Sequence, residues 1–363
     1  MNFDYDESQL LYRASVERFL DASDIAARKA QRAQPGGIDR ARWQAMAELG
    51  LTAMALPEDR GGLGSSLLDL VAVGESFGQR ISSDNWLENA VLPVLLAGAG
   101  LAEDDPLMAA LASGEAIAAL AMFEPEARHV ATPRGTTAKA SAAGHVLQGE
   151  KTFVLGGMAA DWLLVSAATE TGPALFLVAA DAPGVFRRGY RIIDGNEAAE
   201  VRLLGCEVAK DARLALDWAA VEAALATARL VAAAEMAGLA QRLFDDTLAY
   251  VRQREQFGQP IGRFQAIQHR MVEAYALVDQ AKSALIAAVT SGDPQEIAGM
   301  KAVVADAALR IGREAVQLHG GMGTTDELEI GHAHKRVLLL AQWLGDPASG
   351  LDAYAQTSIK VAA

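Results

Sequence analysis

The sequence predicts an α+β protein in which two helical domains flank a middle antiparallel β-domain. Its 363 residues allow two or three packed sub-domains. Apolar residues recur at helical spacing up to about residue 115 and again from about residue 217, whereas short β-forming runs separated by turns fill the stretch between. A high alanine content with only 6% aromatic residues favours closely packed helices over a β-rich body. We therefore predict domains at residues 1–115, 116–216 and 217–363.

The N-terminal domain is predicted to be helical from two periodic stretches. Ser8–Phe19 carries apolar residues at helical positions, and Leu67–Phe77 repeats with the same period. Between them, the proline and glycine content of Leu56–Gly64 indicates a loop.

The middle domain is predicted from a change of period. Runs of β-forming and apolar residues are bounded by turn residues such as Asp181–Gly184 and Asp194–Asn196. The predicted strands are Val146–Leu147, Thr152–Leu155, Trp162–Ala167, Ala174–Ala180 and Ala199–Leu204.

The C-terminal domain is predicted to contain long helices. Val221–Val251 is almost continuous in helix-forming residues. Within Glu296–Leu318, one helical face carries Met300, Val304, Ala307, Ile311 and Leu318. Because such long apolar faces need partners, we predict a helical bundle that continues into an oligomer interface.

Composition excludes several classes of protein. A net charge of −14 argues against a nucleic-acid binder, and the single cysteine, Cys206, argues against a disulfide scaffold or a cysteine zinc site. Neither Gly98–Gly100 nor Gly320–Gly323 follows a strand, so no nicotinamide fingerprint is present. The acidic start, Met1–Glu7, is not typical of a signal peptide, and Ala90–Ala102 is too short to span a bilayer. We predict a cytoplasmic protein.

Arginines cluster in the segment Arg252–Gln265 of this acidic chain. The segment ends one predicted helix and leads through Gly258, Pro260 and Gly262 into the next. Guanidinium groups bind phosphate oxygens through paired hydrogen bonds, and a loop adds backbone donors. The segment therefore suits a phosphate-bearing ligand, although a capped helix–helix connection with surface arginines explains the same residues.

A second segment, Gln317–Glu327, combines glycines with carboxylates. Three glycines in four positions cost conformational entropy, so a ligand must approach the backbone or the chain must turn sharply. A carboxylate held over an apolar pocket has a raised pKa and can act as a base near neutral pH. A flexible solvent loop with exposed acids is the alternative explanation.

Taken together, these segments resemble motifs of the acyl-CoA dehydrogenase family. Arg254–Gln265 is similar to its Arg-x-x-Phe-Gly…Gln segment, and Gln317–Gly323 to its Gln-x-x-Gly-Gly-x-Gly loop. Pro57–Gly64 is similar to its N-terminal Pro-Glu-x-x-Gly-Gly-x-Gly link, and Arg229–Gln241 to its substrate-side helix. The four motifs occur in the family's order over nearly the whole chain, and the resemblance implies an acyl-CoA dehydrogenase-like fold with a C-terminal four-helix bundle.

The resemblance implies an FAD cofactor bound across a subunit boundary. The implied contacts in the C-terminal region are Arg254, Gln256, Phe257, Phe264 and Gln265, with Gln317, Gly320 and Gly321 at the adenine end. The matching positions of the middle domain are Phe123, Phe153 and Leu155.

The resemblance also implies α,β-dehydrogenation of an acyl-CoA thioester, as in the β-oxidation of fatty acids or steroid side chains. Glu327 falls on the position of the base that removes the α-proton, while the hydride passes to flavin N5. The base of some members precedes the arginine of the earlier helix, where this chain has Ala228. Arg229 is a substrate-side candidate or a structural ion-pair partner, and an electron-transfer flavoprotein is the implied electron acceptor.

The middle domain departs from the family pattern. Phe123–His129 lacks the usual Gly-Ser-Asp, and Phe153–Gly157 replaces Trp-Ile-Thr-Asn-Gly. These departures are similar to those in small subunits of heteromeric bacterial enzymes of the pimeloyl-CoA dehydrogenase type, which act on dicarboxylic or ring-bearing acyl-CoAs. A homo-oligomer, a heterotetramer with a larger homologous subunit, and a flavin oxidase or monooxygenase on this scaffold all remain open.

Other polar residues are given structural roles. His319, His332 and His334 lack the cysteines or paired carboxylates that would support a metal site, so none is predicted. Glu235, inside an apolar helix, is interpreted as a structural partner in preference to a paired buried acid near the substrate, and Asp326 as loop-shaping.

Overall fold

The computed structural model describes residues 5–21, 24–127 and 129–361; for residue 35 and residues 357–361 it describes the main chain alone. In the N-terminal region the helices are α1 (Glu7–Asp21), α2 (Ile25–Arg32), α3 (Arg40–Glu48), α4 (Leu67–Gln79), α5 (Leu92–Gly100) and α6 (Pro106–Ala112). Both N-terminal helix predictions are confirmed by α1 and α4. Met1–Asp4 and Arg128, which entered the sequence arguments, lie outside the described residues.

Local sequence explains where helices begin and how the predicted loop is built. Asp39 and Asp105 accept hydrogen bonds from first-turn amides of α3 and α6. Leu56–Gly64 forms the predicted loop, with one short 3₁₀ turn at Glu58–Arg60. A π-helical segment, Trp86–Val91, runs directly into α5.

The middle region forms one seven-stranded sheet. Its strands are β1 (Ala118–Ala121), β2 (Thr137–Ala140), β3 (Gly144–Leu155), β4 (Trp162–Thr169), β5 (Gly172–Ala179), β6 (Val185–Arg191) and β7 (Glu197–Ala209). They lie in the order β1-β4-β2-β3-β7-β6, with β5 paired to β4. The strand core contains Leu147, Leu163, Val165, Phe176, Val201 and Leu203.

The predicted antiparallel sheet is present, with the correction that two of its strand pairings are parallel. Strand β4 pairs in parallel with both β1 and β2, whereas the remaining pairs are antiparallel. Strands β1, β2 and β6 were not predicted. The runs Val146–Leu147 and Thr152–Leu155 belong to one strand, β3, which is interrupted by register shifts against β7.

The C-terminal region is helical, as predicted. Its elements are α7 (Trp218–Gln253), a hairpin of β8 (Glu255–Gln256) and β9 (Gln259–Pro260), α8 (Gln265–Ser291), α9 (Pro294–His319), α10 (Glu329–Gln342) and α11 (Pro347–Val361). The region thus contains five described α-helices, one more than a four-helix bundle. The apolar face predicted on α9 is buried along its whole length.

The chain forms two compact units. The first contains residues 1–26, 67–82 and 229–363, and the second contains residues 27–66 and 83–228. The first unit thus joins α1 and α4 to most of the C-terminal region, and the second joins the other N-terminal helices to the sheet. The three sequence-defined boundaries stay a prediction.

Helices α4 and α7 cross at glycines in the first unit. A Cβ on Gly78 would lie 2.0 Å from the Glu235 carbonyl oxygen, and a Cβ on Gly238 would lie 2.1 Å from that of Glu75. Only residues without side chains allow the two backbones to approach this closely.

Helix α7 is long and apolar enough to span a membrane by length and composition. Its most apolar stretch has a mean hydropathy of 1.4, and 83% of that stretch is buried within the protein. Burial of this kind is typical of the core helix of a globular fold.

Candidate functional site

The arginine-rich segment forms the end of α7, the β8–β9 hairpin and the start of α8. Phe257, at the tip of the hairpin, adopts φ +55° and is 92% exposed. Its ring lies edge-on to that of Phe264, with 6.1 Å between centroids. Arg254, Gln256 and Gln265 are also exposed, so the predicted cofactor contacts form one open surface of this unit.

Arginines of this segment have unused hydrogen-bonding groups. Within the described parts of the chain, the side chains of Arg252, Arg254 and Arg263 form no ion pair or hydrogen bond. Arg252 and Arg263 also border a cavity of about 450 Å³ whose walls include Val251 and Met271. Unpaired guanidinium groups in an acidic protein suit an anionic ligand. Arg254 is one of the predicted cofactor contacts, whereas Arg252 and Arg263 were not predicted.

The glycine-rich segment continues directly from α9. Gly320 adopts φ +62° and ends the helix, and residues Gly320–Thr324 form a 3₁₀ turn. Apart from the adjacent chain, no described atom lies within 4 Å of a Cβ built on Gly320 or Gly321, and Gln317 is exposed. The predicted sharp turn is therefore present, and the glycines leave backbone open to a ligand.

Aromatic stacking joins the two segments. The ring of His319 stacks on that of Tyr250 with centroids 4.2 Å apart. Tyr250 lies one turn before Arg254, whose backbone amide donates to the Tyr250 carbonyl at 2.8 Å. The structure thus brings the start of the glycine-rich segment to the end of α7 that carries the arginines.

Three carboxylates follow the glycines, and two of them form ion pairs. Asp326 pairs with Lys335 at 3.2 Å, and Glu329 pairs with Arg242. Glu327 is exposed in the turn before α10 and has no side-chain partner among the described residues. The carboxylate named as the candidate base is therefore the unpaired acid of this segment.

Arg229 lies at the other end of the same unit, on α7. Its Nε donates to the Leu344 carbonyl at 3.0 Å, in the turn that follows α10. The buried Lys301 of α9 donates to the Gly345 carbonyl of that turn at 2.6 Å. Lys301 was not among the predicted residues, although a lysine beside the apolar residue Met300 was a visible signal.

In the second unit, the predicted flavin positions lie on or beside β3. Phe123 and Leu155 are buried and Phe153 is half-buried. Phe153 adopts φ +57° at the register shift between Lys151 and Val154. Such bulges redirect side chains and are enriched beside active sites.

The turn after β3 is fixed by two side chains that sequence analysis missed. The guanidinium group of Arg187 donates to the carbonyls of Gly157 at 2.8 Å and Ala160 at 3.0 Å. The Asn89 amide nitrogen donates to the carbonyls of Ala118 at 2.9 Å and Leu155 at 3.4 Å.

A buried ion pair lies next to these positions. Lys151 Nζ donates to Glu124 Oε1 at 2.9 Å, to Ser166 Oγ at 2.9 Å and to the Met122 carbonyl at 3.0 Å. Glu124 also accepts hydrogen bonds from the backbone amides of Arg134, Gly135 and Thr136. Despite its burial, these hydrogen bonds lower the pKa of Glu124 to about 2. Burial lowers the pKa of Lys151 to about 8, and Glu124 opposes that shift.

The two units fit FAD to different degrees. In the C-terminal segments, unpaired arginines and open glycine backbone suit the pyrophosphate and adenosine parts of the cofactor. In the middle domain, Phe123, Phe153 and Leu155 have apolar side chains, and the carbonyls of Phe123 and Leu155 already accept hydrogen bonds. This part of the chain therefore offers a packing surface for an isoalloxazine ring, with few polar groups to orient the ring.

The remaining predictions concern structural residues. Glu235 forms an ion pair with Arg336 inside the first unit, which agrees with its interpretation as a structural partner. The histidines have separate surroundings: His319 stacks on Tyr250, His332 contacts the Asp326 carbonyl and His334 packs on Gly312.

Comparison with protein families finds matches over both helical regions. A model described as "Acyl-CoA dehydrogenase, N-terminal domain" matches residues 6–100, and one described as "Acyl-CoA dehydrogenase, C-terminal domain" matches residues 218–356. The sheet lies between the two matched ranges.

Individual relatives are similar over almost the full length. Acyl-CoA dehydrogenase IpdE2 of Mycolicibacterium smegmatis is 30% identical, over 95% of this chain and 97% of the relative. Mitochondrial isovaleryl-CoA dehydrogenase of Arabidopsis thaliana is 28% identical, over 90% of this chain and 85% of the relative. A chain of the ChsE4–ChsE5 complex from Mycobacterium tuberculosis superposes with a TM-score of 0.90 at 26% identity, covering 98% of each chain.

Proposed function

This chain belongs to the acyl-CoA dehydrogenase family, and from that premise we propose that it supports FAD-dependent α,β-dehydrogenation of an acyl-CoA thioester with Glu327 as its candidate base. The family consists of FAD-binding oxidoreductases that act on CH–CH bonds of acyl-CoAs. FAD, when bound, supplies the acceptor for the hydride from the β-carbon. An electron-transfer flavoprotein as acceptor and a cytoplasmic location belong to the same proposal.

The observation that carries the base assignment is the difference between Glu327 and its neighbours. Asp326 and Glu329 form ion pairs with basic side chains, whereas the Glu327 carboxylate has both oxygens available for a proton. Because Glu327 is exposed in the single chain, substrate or a neighbouring subunit must cover it before it can act as an efficient base.

We expect Glu327→Gln to slow flavin bleaching by an acyl-CoA about 100-fold or more, because the amide cannot accept the α-proton. The measurement is stopped-flow flavin absorbance with the member of an acyl-CoA panel that bleaches the wild-type protein. FAD content should be unchanged, and Asp326→Asn is the matched neighbouring control. Bleaching of Glu327→Gln at the wild-type rate rules out Glu327 as the base.

Arg254→Gln is expected to weaken FAD binding about tenfold, because a charge-assisted hydrogen bond to a phosphate is lost. The readout is flavin absorbance per mole of protein during titration of the apoprotein with FAD. Arg310→Gln removes an exposed arginine that pairs with Asp306 on α9 and should not change FAD affinity. Equal affinity in wild type and Arg254→Gln would remove Arg254 from the cofactor site.

A second candidate function is that of a partner subunit in a heteromeric enzyme. The apolar positions Phe123, Phe153 and Leu155 favour it, because they supply no side-chain hydrogen bonds to a flavin ring. The similarity to a chain of the ChsE4–ChsE5 complex, itself an assembly of two different subunits by its name, supports the same view. In such an assembly this chain contributes its arginine-rich segment to an FAD held mainly by a larger homologous subunit.

FAD stoichiometry separates the two functions. A partner subunit purified alone should contain little FAD, and co-expression with a larger homologous subunit should restore about one FAD per pair of chains. Full flavin occupancy in a homo-oligomer of this chain would contradict the partner role. In a heteromer, an unchanged rate of Glu327→Gln would place the base in the larger subunit.

A further inference from the structure

Lys301 is a buried lysine whose ammonium group is bound by main-chain carbonyls, with no carboxylate of the described residues at ion-pair distance. It is 3% exposed, and its ammonium group donates to the main-chain carbonyls of Gly345 at 2.6 Å and Ala341 at 3.5 Å. Within the described residues it forms no ion pair. Burying an unpaired ammonium group is costly, so helix packing alone does not account for a lysine at this position.

Both carbonyls belong to the end of α10 and the turn that follows it. The turn consists of Trp343–Gly345. Its central residue, Leu344, is 3% exposed and adopts φ +62°, a conformation that is unfavourable for residues other than glycine. Such a conformation persists only where the surrounding contacts enforce it. Lys301 binds one side of Leu344, through Gly345, and the Arg229 Nε binds the Leu344 carbonyl itself.

These contacts connect Lys301 to Arg229 through the turn. We propose that Lys301 is a positioning residue that fixes the turn Trp343–Gly345 and, through the Leu344 carbonyl, holds Arg229 in the orientation that binds the acyl-CoA. The inference rests on the proposed function and on the substrate-side role that the family resemblance implies for Arg229. Lys301 itself is buried and acts without touching the ligand.

Charged groups around Lys301 make this role sensitive to pH. Burial and the nearby Arg229 lower the pKa of Lys301 to about 7, and Asp346 opposes the shift. On the facing helix α11, Tyr354 packs on Gly299, two residues before Lys301. A protonated amine makes hydrogen bonds about twice as strong as a neutral one, so the turn should be held more firmly below pH 7.

The test compares Lys301→Met with Lys282→Met, a control that removes a lysine bonded to Gln241 on the neighbouring helices. The probe is the enoyl-CoA product of whichever acyl-CoA bleaches the wild-type flavin, titrated into the holoenzyme by calorimetry. We expect Lys301→Met to raise the Kd about tenfold at pH 6 and by much less at pH 8.5. KM should rise with little change in kcat, and Lys282→Met should match the wild type.

Several outcomes overturn the inference. The inference is wrong if Lys301→Met binds with wild-type affinity at both pH values. It is also wrong if the loss of affinity is the same at both pH values. Where Lys301→Met does not fold, Lys301→Arg keeps a cation at every pH, and its affinity should be constant across this range. If the Kd of Lys301→Arg changed with pH as steeply as the Kd of the wild type, the positioning role would be contradicted. A wild-type protein that neither bleaches nor binds the acyl-CoAs refutes the proposed function itself.

Discussion

Arg336→Met is expected to lower the free energy of unfolding by about 3–5 kcal/mol, because it leaves the Glu235 carboxylate buried without its cation. Arg336 Nε and Nη2 donate to Glu235 at 2.6 and 3.1 Å, and both side chains are at most 5% exposed. The pair links α10 to α7 beside the close α4–α7 crossing at Gly238. Equilibrium unfolding in urea, followed by circular dichroism, measures the loss.

A double variant separates the charge effect from packing. Glu235→Met combined with Arg336→Met removes both charges and should recover most of the lost stability, because apolar side chains replace a buried ion pair at little net cost. Arg310→Met removes an exposed pair with Asp306 and should cost less than about 1 kcal/mol. If Arg336→Met is no more destabilising than Arg310→Met, the pair is not the structural link described here.

Glu124→Gln is expected to destabilise the second unit by about 3 kcal/mol near neutral pH. The substitution leaves Lys151 buried beside a neutral amide. The substitution also replaces one acceptor oxygen with an NH₂ group, which is a donor. The three backbone amides around Glu124 are donors as well, so at least one of their hydrogen bonds is lost. Circular dichroism and tryptophan fluorescence during urea unfolding at fixed pH measure the difference.

The pH dependence of this effect has a definite sign. Because the pKa of Glu124 is lowered to about 2 in the folded protein, its contribution is complete above the usual pKa of a glutamate. It is lost as the pH falls through about 2, so the stability gap between wild type and Glu124→Gln should narrow from pH 5 toward pH 2. Glu150→Gln, which removes a more exposed acid paired with Arg202 on the same sheet, is the control and should show no such narrowing. A gap that stays constant with pH would contradict the ionised pair.

Periodicity predicted α1, α4, α7 and α9 because a helix depends on residues close in sequence. It missed β1, whose residues Ala118–Ala121 are mainly alanine, and β6, where Arg187, Arg188 and Arg191 obscure the alternation of a strand. It also indicated an antiparallel domain, whereas two of the strand pairings are parallel. Strand direction depends on connections that cross the sheet, so no local pattern identifies the parallel pairing of β1 with β4.

Motif content was sufficient to predict the family, and the comparisons confirm it. The glycine-rich segment Gln317–Glu327 and the arginine-rich segment Arg252–Gln265 were informative because each is a local pattern of residues that resembles a family motif. Which acid of Asp326–Glu329 stays unpaired was beyond the sequence. That depends on Arg242 and Lys335, which reach the segment from α7 and α10.

By itself, then, the sequence determined the helix–sheet–helix order and, through its motifs, the resemblance to the family, because both depend on residues that are close together in the chain. Tertiary structure alone decided which charges are buried and with what they pair. Glu235 meets Arg336 across 101 positions, and Lys301 reaches the Gly345 carbonyl across 44. A charged side chain in an apolar stretch looks the same in sequence whether it meets a carboxylate, a carbonyl or water, and only the folded chain supplies that partner.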